Sequence, residues 1–168
     1  YEIGPLDNIK SAQIAEIGES VKKLIADARS ENPDVKAFGL ILIDGLSIME
    51  EQVVCHLHGA LNDVPIIGGS AGDDLSFSKT HVYSNGEFKS NQASFTLFLT
   101  SLPFTTFKTQ HFIPADKKLV VTEADPSRRT IREINGNPAA EEYANLVGLS
   151  ADQLSPTVFS NNPVMLKI

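Results

Sequence analysis

One cysteine, Cys55, excludes an internal disulfide and fits a reducing compartment. The longest apolar stretches fall far short of the roughly 20 residues that a membrane helix needs, and no charged, apolar and small-residue leader opens the chain. Basic residues are the scarcer sign: 14 Lys and Arg stand against 21 Asp and Glu, a formal charge of −7, with no basic cluster beyond Arg128, Arg129 and Arg132. Attraction to nucleic acid or to an anionic membrane therefore has no electrostatic support. Low-complexity segments and internal repeats are also missing. Together these absences predict a cytoplasmic protein that engages neither nucleic acid nor membrane.

What is present suffices for a sizeable core. Of 168 residues, 42% are hydrophobic and 21% charged, enough for one ordinary domain or for two halves of a larger protein. The chain opens without Met in a turn-like Gly4-Pro5 and closes in the strand-patterned run Pro163-Val164-Met165-Leu166-Lys167-Ile168, so both ends are expected to be cropped.

Between Asp7 and Ser30, Ile14, Ile17, Val21, Leu24, Ile25 and Ala28 recur at helical spacing with charged residues between them, which predicts a long amphipathic helix started near Asp7 or Ser11 and stopped before Asn32-Pro33. The nearly continuous apolar run from Ala37 to Ile43 is too short for a typical helix and reads as a strand buried on both faces, parallel and central. Asp44-Gly45 ends it. Ser47, with Glu50 three residues on, predicts a capping box for a second helix from about Ile48 to Leu61, burying Val53, Val54, Leu57, Ala60 and Leu61. A strand over 64–67 completes a right-handed βαβ unit of about 30 residues. It delivers Gly68-Gly69-Ser70-Ala71-Gly72-Asp73-Asp74, expected to be a loop whose glycines take left-handed angles and let another group approach closely.

Beyond this the pattern becomes hairpin-rich. Asn85-Gly86 between two β-branched and aromatic stretches is a type I′ turn signal. Residues 93–100, 104–113 and 117–122 read as further strands, antiparallel in arrangement. A short strand over 130–134 precedes a helix with Asn137 as its cap, Pro138 in its first turn and Gly148 as its stop. Ser150 and Gln153 box a final turn. The expected fold is α/β: a βαβ unit with parallel strands, then an antiparallel mixed sheet, forming parts of two α/β subdomains with a boundary between 102 and 116.

A strand running into a glycine-rich stretch is where α/β folds place ligand sites. The stretch lacks the Lys-Ser/Thr pair of a P-loop and the spacing of a dinucleotide fingerprint, and Asp73 and Asp74 would repel a bare phosphate. Asp44 and Asp73 lie just at and beyond the carboxyl ends of the two expected parallel strands, so both can open onto one edge and hold Mg²⁺ or the amino group of a small ligand. The same acids can instead serve the fold, Asp44 as a cap and Asp73 by satisfying loop amides, and as structure alone that reading is preferred. His56 and His58 point to nearly opposite helix faces and cannot share one zinc. Cys55 reads as a partly buried thiol. His111, beside Phe107 and Phe112, could be an axial haem ligand or a core histidine. Gly69-Ser70-Ala71-Gly72 has the wrong glycine spacing for a nucleophile elbow, and no catalytic constellation is found.

The stretches Leu42-Ile43-Asp44-Gly45-Leu46-Ser47 with Glu50-Glu51, then 68–74, then Val120-Val121-Thr122-Glu123-Ala124 and 133–140 resemble the FIST (F-box and intracellular signal transduction) sensory domain. The resemblance runs from about Ala37 to the end. It implies that 1–103 is the back part of the family's N-terminal half and 104–168 the front part of its C-terminal half. It further implies a non-catalytic module that binds a small ligand such as an amino acid and signals to an output partner: a histidine kinase, a chemotaxis protein or a cyclic-dinucleotide component. Asp44, Gly68, Gly69, Ser70, Gly72, Asp73 and Asp74 are then the candidate ligand residues, with no cofactor and no metal. One branch of the family is similar to haem-binding nitric-oxide sensors that regulate a kinase, which makes His111 the alternative haem ligand. A Mg²⁺-dependent hydrolase using Asp44, Asp73 and Asp74 is a distant alternative.

Overall fold

The computed structural model describes residues 1–74, 76–109 and 112–165. The chain divides into two compact units, Tyr1–Lys108 and Thr109–Ile168. The fold is mixed α/β, as the sequence predicts, with one parallel strand pair and otherwise antiparallel pairings among the described residues.

The first unit contains β1 (Glu2–Ile3), α1 (Ser11–Glu31), β2 (Lys36–Asp44), α2 (Glu50–Leu61), β3 (Ile66–Ala71), β4 (Val82–Ser84), β5 (Glu87–Lys89) and β6 (Ala93–Thr100). Its four-stranded sheet has the order β1-β6-β2-β3. β2 runs parallel to β3 and antiparallel to β6, so it is central, as expected. Only one of its faces is fully covered. Ala37, Ile41 and Ile43 turn toward the helices and are buried with Ile3, Ala93 and Phe95, while Phe38 and Leu40 on the opposite face are half-buried and Leu42 is exposed. The expectation of burial on both faces fails because α1 and α2 pack on the same side. Ile14, Ile17, Val21 and Ile25 of α1 and Val53, Leu57 and Leu61 of α2 complete this core. Gly18 lets the two helices cross closely: a methyl group there would come 2.7 Å from the Ala60 side chain. Leu24 and Val54 lie at the margins of their helical stripes and stay exposed.

Of the two starts expected for α1, the helix takes Ser11, and Leu6–Asn8 forms a separate 3₁₀ turn. Two local expectations are corrected. Ser47 does not cap α2. Its hydroxyl donates to the Asp44 carbonyl at 2.7 Å, and the helix begins three residues later, behind Met49, with no side-chain cap. The stretch 68–71 is strand, not loop: β3 pairs with β2 from Gly39↔Ile66 to Asp44↔Ala71. Neither Gly68, Gly69 nor Gly72 has a positive φ, so the left-handed freedom expected of them is unused.

The β4–β5 hairpin turns at Asn85 (φ 50°) and Gly86 (φ 88°), the two positive angles of a type I′ turn. The strand expected over 104–113 does not form at 104–109 or 112–113, and 110 and 111 lie outside the described residues. Among the described residues nothing pairs with this segment, and an extended segment without a ladder partner is not a strand. Phe104 instead lays its ring against Phe38 with centroids 4.8 Å apart.

The second unit holds β7 (Val121–Asp125), β8 (Thr130–Ile134), β9 (Asn137–Pro138), α3 (Ala139–Val147) and the short α4 (Pro156–Asn161). β7 lies a few residues later than the strand expected over 117–122, and pairs with β8 through a register irregularity at Glu123. Gly148, in the left-handed region at φ 78°, stops α3 as expected. Pro138 precedes the helix in an extended conformation, and Asn137 does not cap it. Its amide reaches the Glu142 carboxylate at 3.2 Å, beside Asn135 at 2.9 Å. Gln153 folds back to the Ser150 N–H at 3.0 Å, completing the anticipated box. Tyr143 is buried, stacks on Phe159 and donates its hydroxyl to the Asn162 carbonyl at 2.9 Å. Helix α4, capped by Ser155, was not foreseen. Residues 163–165 form no strand, and the remainder of that closing run lies outside the described residues.

Candidate functional site

The carboxyl ends of β2 and β3 finish in register, with Asp44 opposite Ala71, and the connections leaving them form one edge of the first unit. Asp44 is 4% exposed. One carboxylate oxygen accepts the Leu46 N–H at 2.9 Å and the Thr80 hydroxyl, and the other accepts the Asn91 N–H at 2.5 Å. Burial pushes this carboxyl up, but the hydrogen bonds from Thr80, Asn91 and Leu46, helped by His81, outweigh it and hold the acid below its ordinary range. Asp44 therefore fastens three segments: its own turn, the approach to β4 and the approach to β6.

Asp73 does the same for the loop after β3. Its carboxylate accepts the backbone N–H groups of Ser78 at 2.6 Å, Lys79 at 3.0 Å and Phe77 at 2.9 Å, together with the Ser78 hydroxyl at 3.2 Å. The amides of Ser78 and Lys79 contribute most to holding this acid below its ordinary range. The two acids share no donor, and each is committed to the chain itself. Neither is left as a free carboxylate aimed at a metal, which withdraws the structural support from the Mg²⁺ reading.

The glycines divide in the same way. A side chain at Gly68 would collide with the Ile41 carbonyl oxygen of the adjacent strand, so that glycine is explained internally. Gly69 and Gly72 have no atom within 4 Å of where a side chain would begin, and both are exposed. Ser70 and Asp74 are exposed as well. Gly45, which the sequence did not single out as a site residue, is required by close approach: a side chain there would meet the Ala71 carbonyl. Thr80 and Asn91 were also missed, because neither belongs to a motif and their role exists only through contact with Asp44. Two bulky residues flank this edge under backbone strain, Ile48 at φ 55° and Phe77 at φ 49°, and they are 51% and 61% exposed.

Elsewhere in the unit, Cys55 is exposed rather than partly buried, since α2 turns Val53 and Leu57 inward and Cys55 away from the sheet. Cys55 and His56 line a shallow groove of about 480 Å³ between α1 and α2 with Ser11, Ala12 and Gly59. His56 Nδ1 lies 2.7 Å from the Gln52 carbonyl oxygen of its own helix. His111 lies outside the described residues.

The model of the FIST N domain family matches residues 3–137, from β1 into β9. The chain belongs to the FIST family. This match includes β1 and α1, N-terminal to the motifs that carry the resemblance, and takes in Asp44 and the whole of 68–74. FIST domains are sensory signal-transduction modules and are generally non-catalytic. The chain is similar to an uncharacterized protein of Methanocaldococcus jannaschii, with 27% identity over 132 residues, or 78% of this chain. It spans about a quarter of that curated relative's length. No solved structure matches the FIST chain. Among its described residues, no helix is long and apolar enough to cross a membrane.

Proposed function

We propose that this FIST chain is the input part of a non-catalytic cytoplasmic sensor. It binds a small ligand, an amino acid or similar metabolite, at the carboxyl edge of β2 and β3, and passes the occupancy of that site to an output protein such as a histidine kinase, a chemotaxis protein or a cyclic-dinucleotide component. The observation that carries this reading is the pair of exposed glycines at that edge. Gly69 costs a strand stability relative to residues with side chains, and neither its φ nor any neighbour requires it. A backbone kept bare without an internal reason is kept bare for something that approaches from outside. Within the candidate set, Gly69, Ser70, Gly72 and Asp74 then face the ligand, while Asp44, Gly68 and Asp73 hold the scaffold.

A panel of amino acids and related metabolites, screened by thermal unfolding of the complete protein, tests this. A ligand at about 100 times its Kd is expected to add roughly 2.7 kcal/mol of stability. Gly69→Val should change the stability of the unliganded protein by less than about 1 kcal/mol and remove that ligand response. A stabilisation that survives Gly69→Val would put the ligand at another place.

A further inference from the structure

β3 is the outer strand of its sheet among the described residues. The Gly39 N–H donates to the Pro65 carbonyl at 2.8 Å, and Gly39 stands level with Ile66. The alternation of a parallel ladder then turns residues 65, 67, 69 and 71 toward β2, and turns the N–H and C=O groups of Ile66, Gly68 and Ser70 outward. A row of outward backbone groups is a template for another strand unless it is blunted by lysines, a proline, a bulge or an inward charge. β3 has none of these within Ile66–Ala71, and its register with β2 is unbroken. From Gly68 to Ala71 only small side chains border the edge, so a second backbone meets no steric obstacle there.

The charges around the edge are of one sign. Asp63 precedes the strand, Asp73 and Asp74 follow it, and no Lys or Arg occurs from Gly59 to Ser78. A second copy of the chain is a poor occupant on that account. Antiparallel self-pairing centred on Gly68 would set Asp63 against Asp73 of the copy, and parallel in-register pairing would set each acid beside its own counterpart. Like charges so placed destabilise a strand pair.

We propose that the free edge of β3 is a strand-addition surface for an extended segment of another protein that carries Lys or Arg at both ends of its paired stretch. Main-chain hydrogen bonds to Ile66, Gly68 and Ser70 supply the affinity, and the flanking acids choose the partner and its register. This surface runs along the side of the sheet and shares Ser70 and Asp74 with the proposed ligand edge, so the peptide titrations are made without small ligand.

The test titrates the complete protein with a short fluorescent peptide of alternating Val and Thr that has a Lys at each end, against a counterpart with Glu at each end. The Lys-ended peptide is expected to bind at least about tenfold more tightly, a difference of about 1.4 kcal/mol, and to weaken as salt rises. Ser70→Pro removes one outward N–H without touching the ladder to β2 and should lower that binding by about tenfold. The double variant Asp63→Lys with Asp74→Lys keeps the strand intact and should reverse the preference between the peptides. Equal binding of the two peptides, no binding of either, or binding indifferent to Ser70→Pro overturns the proposal. Dimerisation in sedimentation that Ser70→Pro abolishes would give the edge to a second copy and overturn it as well.

Discussion

Asp44→Ala is expected to destabilise the first unit by roughly 3–5 kcal/mol, because it strands the Thr80 hydroxyl and the Leu46 and Asn91 amides in a buried place. The urea midpoint should fall at unchanged slope. Asp44→Asn keeps one acceptor oxygen but presents an amide where a donor must be received, so it should recover only part of the loss. The pH dependence follows from the direction of the shift. The folded carboxyl titrates below its ordinary value of 3.8, so its contribution is complete above that value and is lost as the pH falls through the folded pKa. The difference in stability between the protein and Asp44→Asn should therefore be constant from neutral pH down to about pH 5 and shrink below about pH 4. Asp73 and Asp125 are shifted the same way. Only the difference between the two proteins isolates Asp44, and a difference that does not shrink in acid would mean that the three donors do not favour its charged form.

Gly68→Val should cost about 3 kcal/mol or more, since the new side chain meets the backbone of Ile41, which cannot move without breaking the β2–β3 ladder. Gly69→Val, one residue away in the same strand, should cost less than about 1 kcal/mol. Amide exchange makes the contrast specific: the β2 and β3 amides lose protection in the first variant and keep it in the second. Equal effects of the two substitutions would remove the distinction between scaffold glycine and ligand-facing glycine on which the site assignment rests.

Those adjacent glycines also mark what could be read from the sequence. The type I′ turn at Asn85-Gly86, the stop at Gly148 and the two helical stripes were legible because each depends on residues within a few positions of one another. The strand at 68–71 was not. Glycine and serine are poor strand formers, and what makes them a strand is the neighbouring β2 backbone, about 27 residues earlier in the chain. Ser47 was misread because its oxygen accepts the Met49 N–H at 3.3 Å while its hydroxyl donates to the Asp44 carbonyl, so it shapes the turn before α2 rather than the helix's first turn. At the candidate site the sequence singled out one edge and left two readings of its acids. Asp73 satisfies loop amides, those of 77–79, as the preferred reading has it, whereas Asp44 caps no helix and instead takes Leu46, Thr80 and Asn91, of which the last two belong to no motif. His111, the alternative haem ligand, stays an expectation of the sequence alone.

The position of β6 has a consequence for synthesis on the ribosome. β6 lies between β1 and β2, and its residues 93–100 follow β1 by about ninety positions. Translation delivers β1, α1, β2, α2 and β3 before β6, and β2, α2 and β3 form a local unit that can assemble as soon as it leaves the exit tunnel. The seam facing β1 must stay open until Thr100 has emerged. For several seconds at elongation rates of roughly 5–20 residues per second, the nascent chain thus shows an unpaired edge of β2. The sheet of the first unit is complete only when this one late strand enters the gap between β1 and β2.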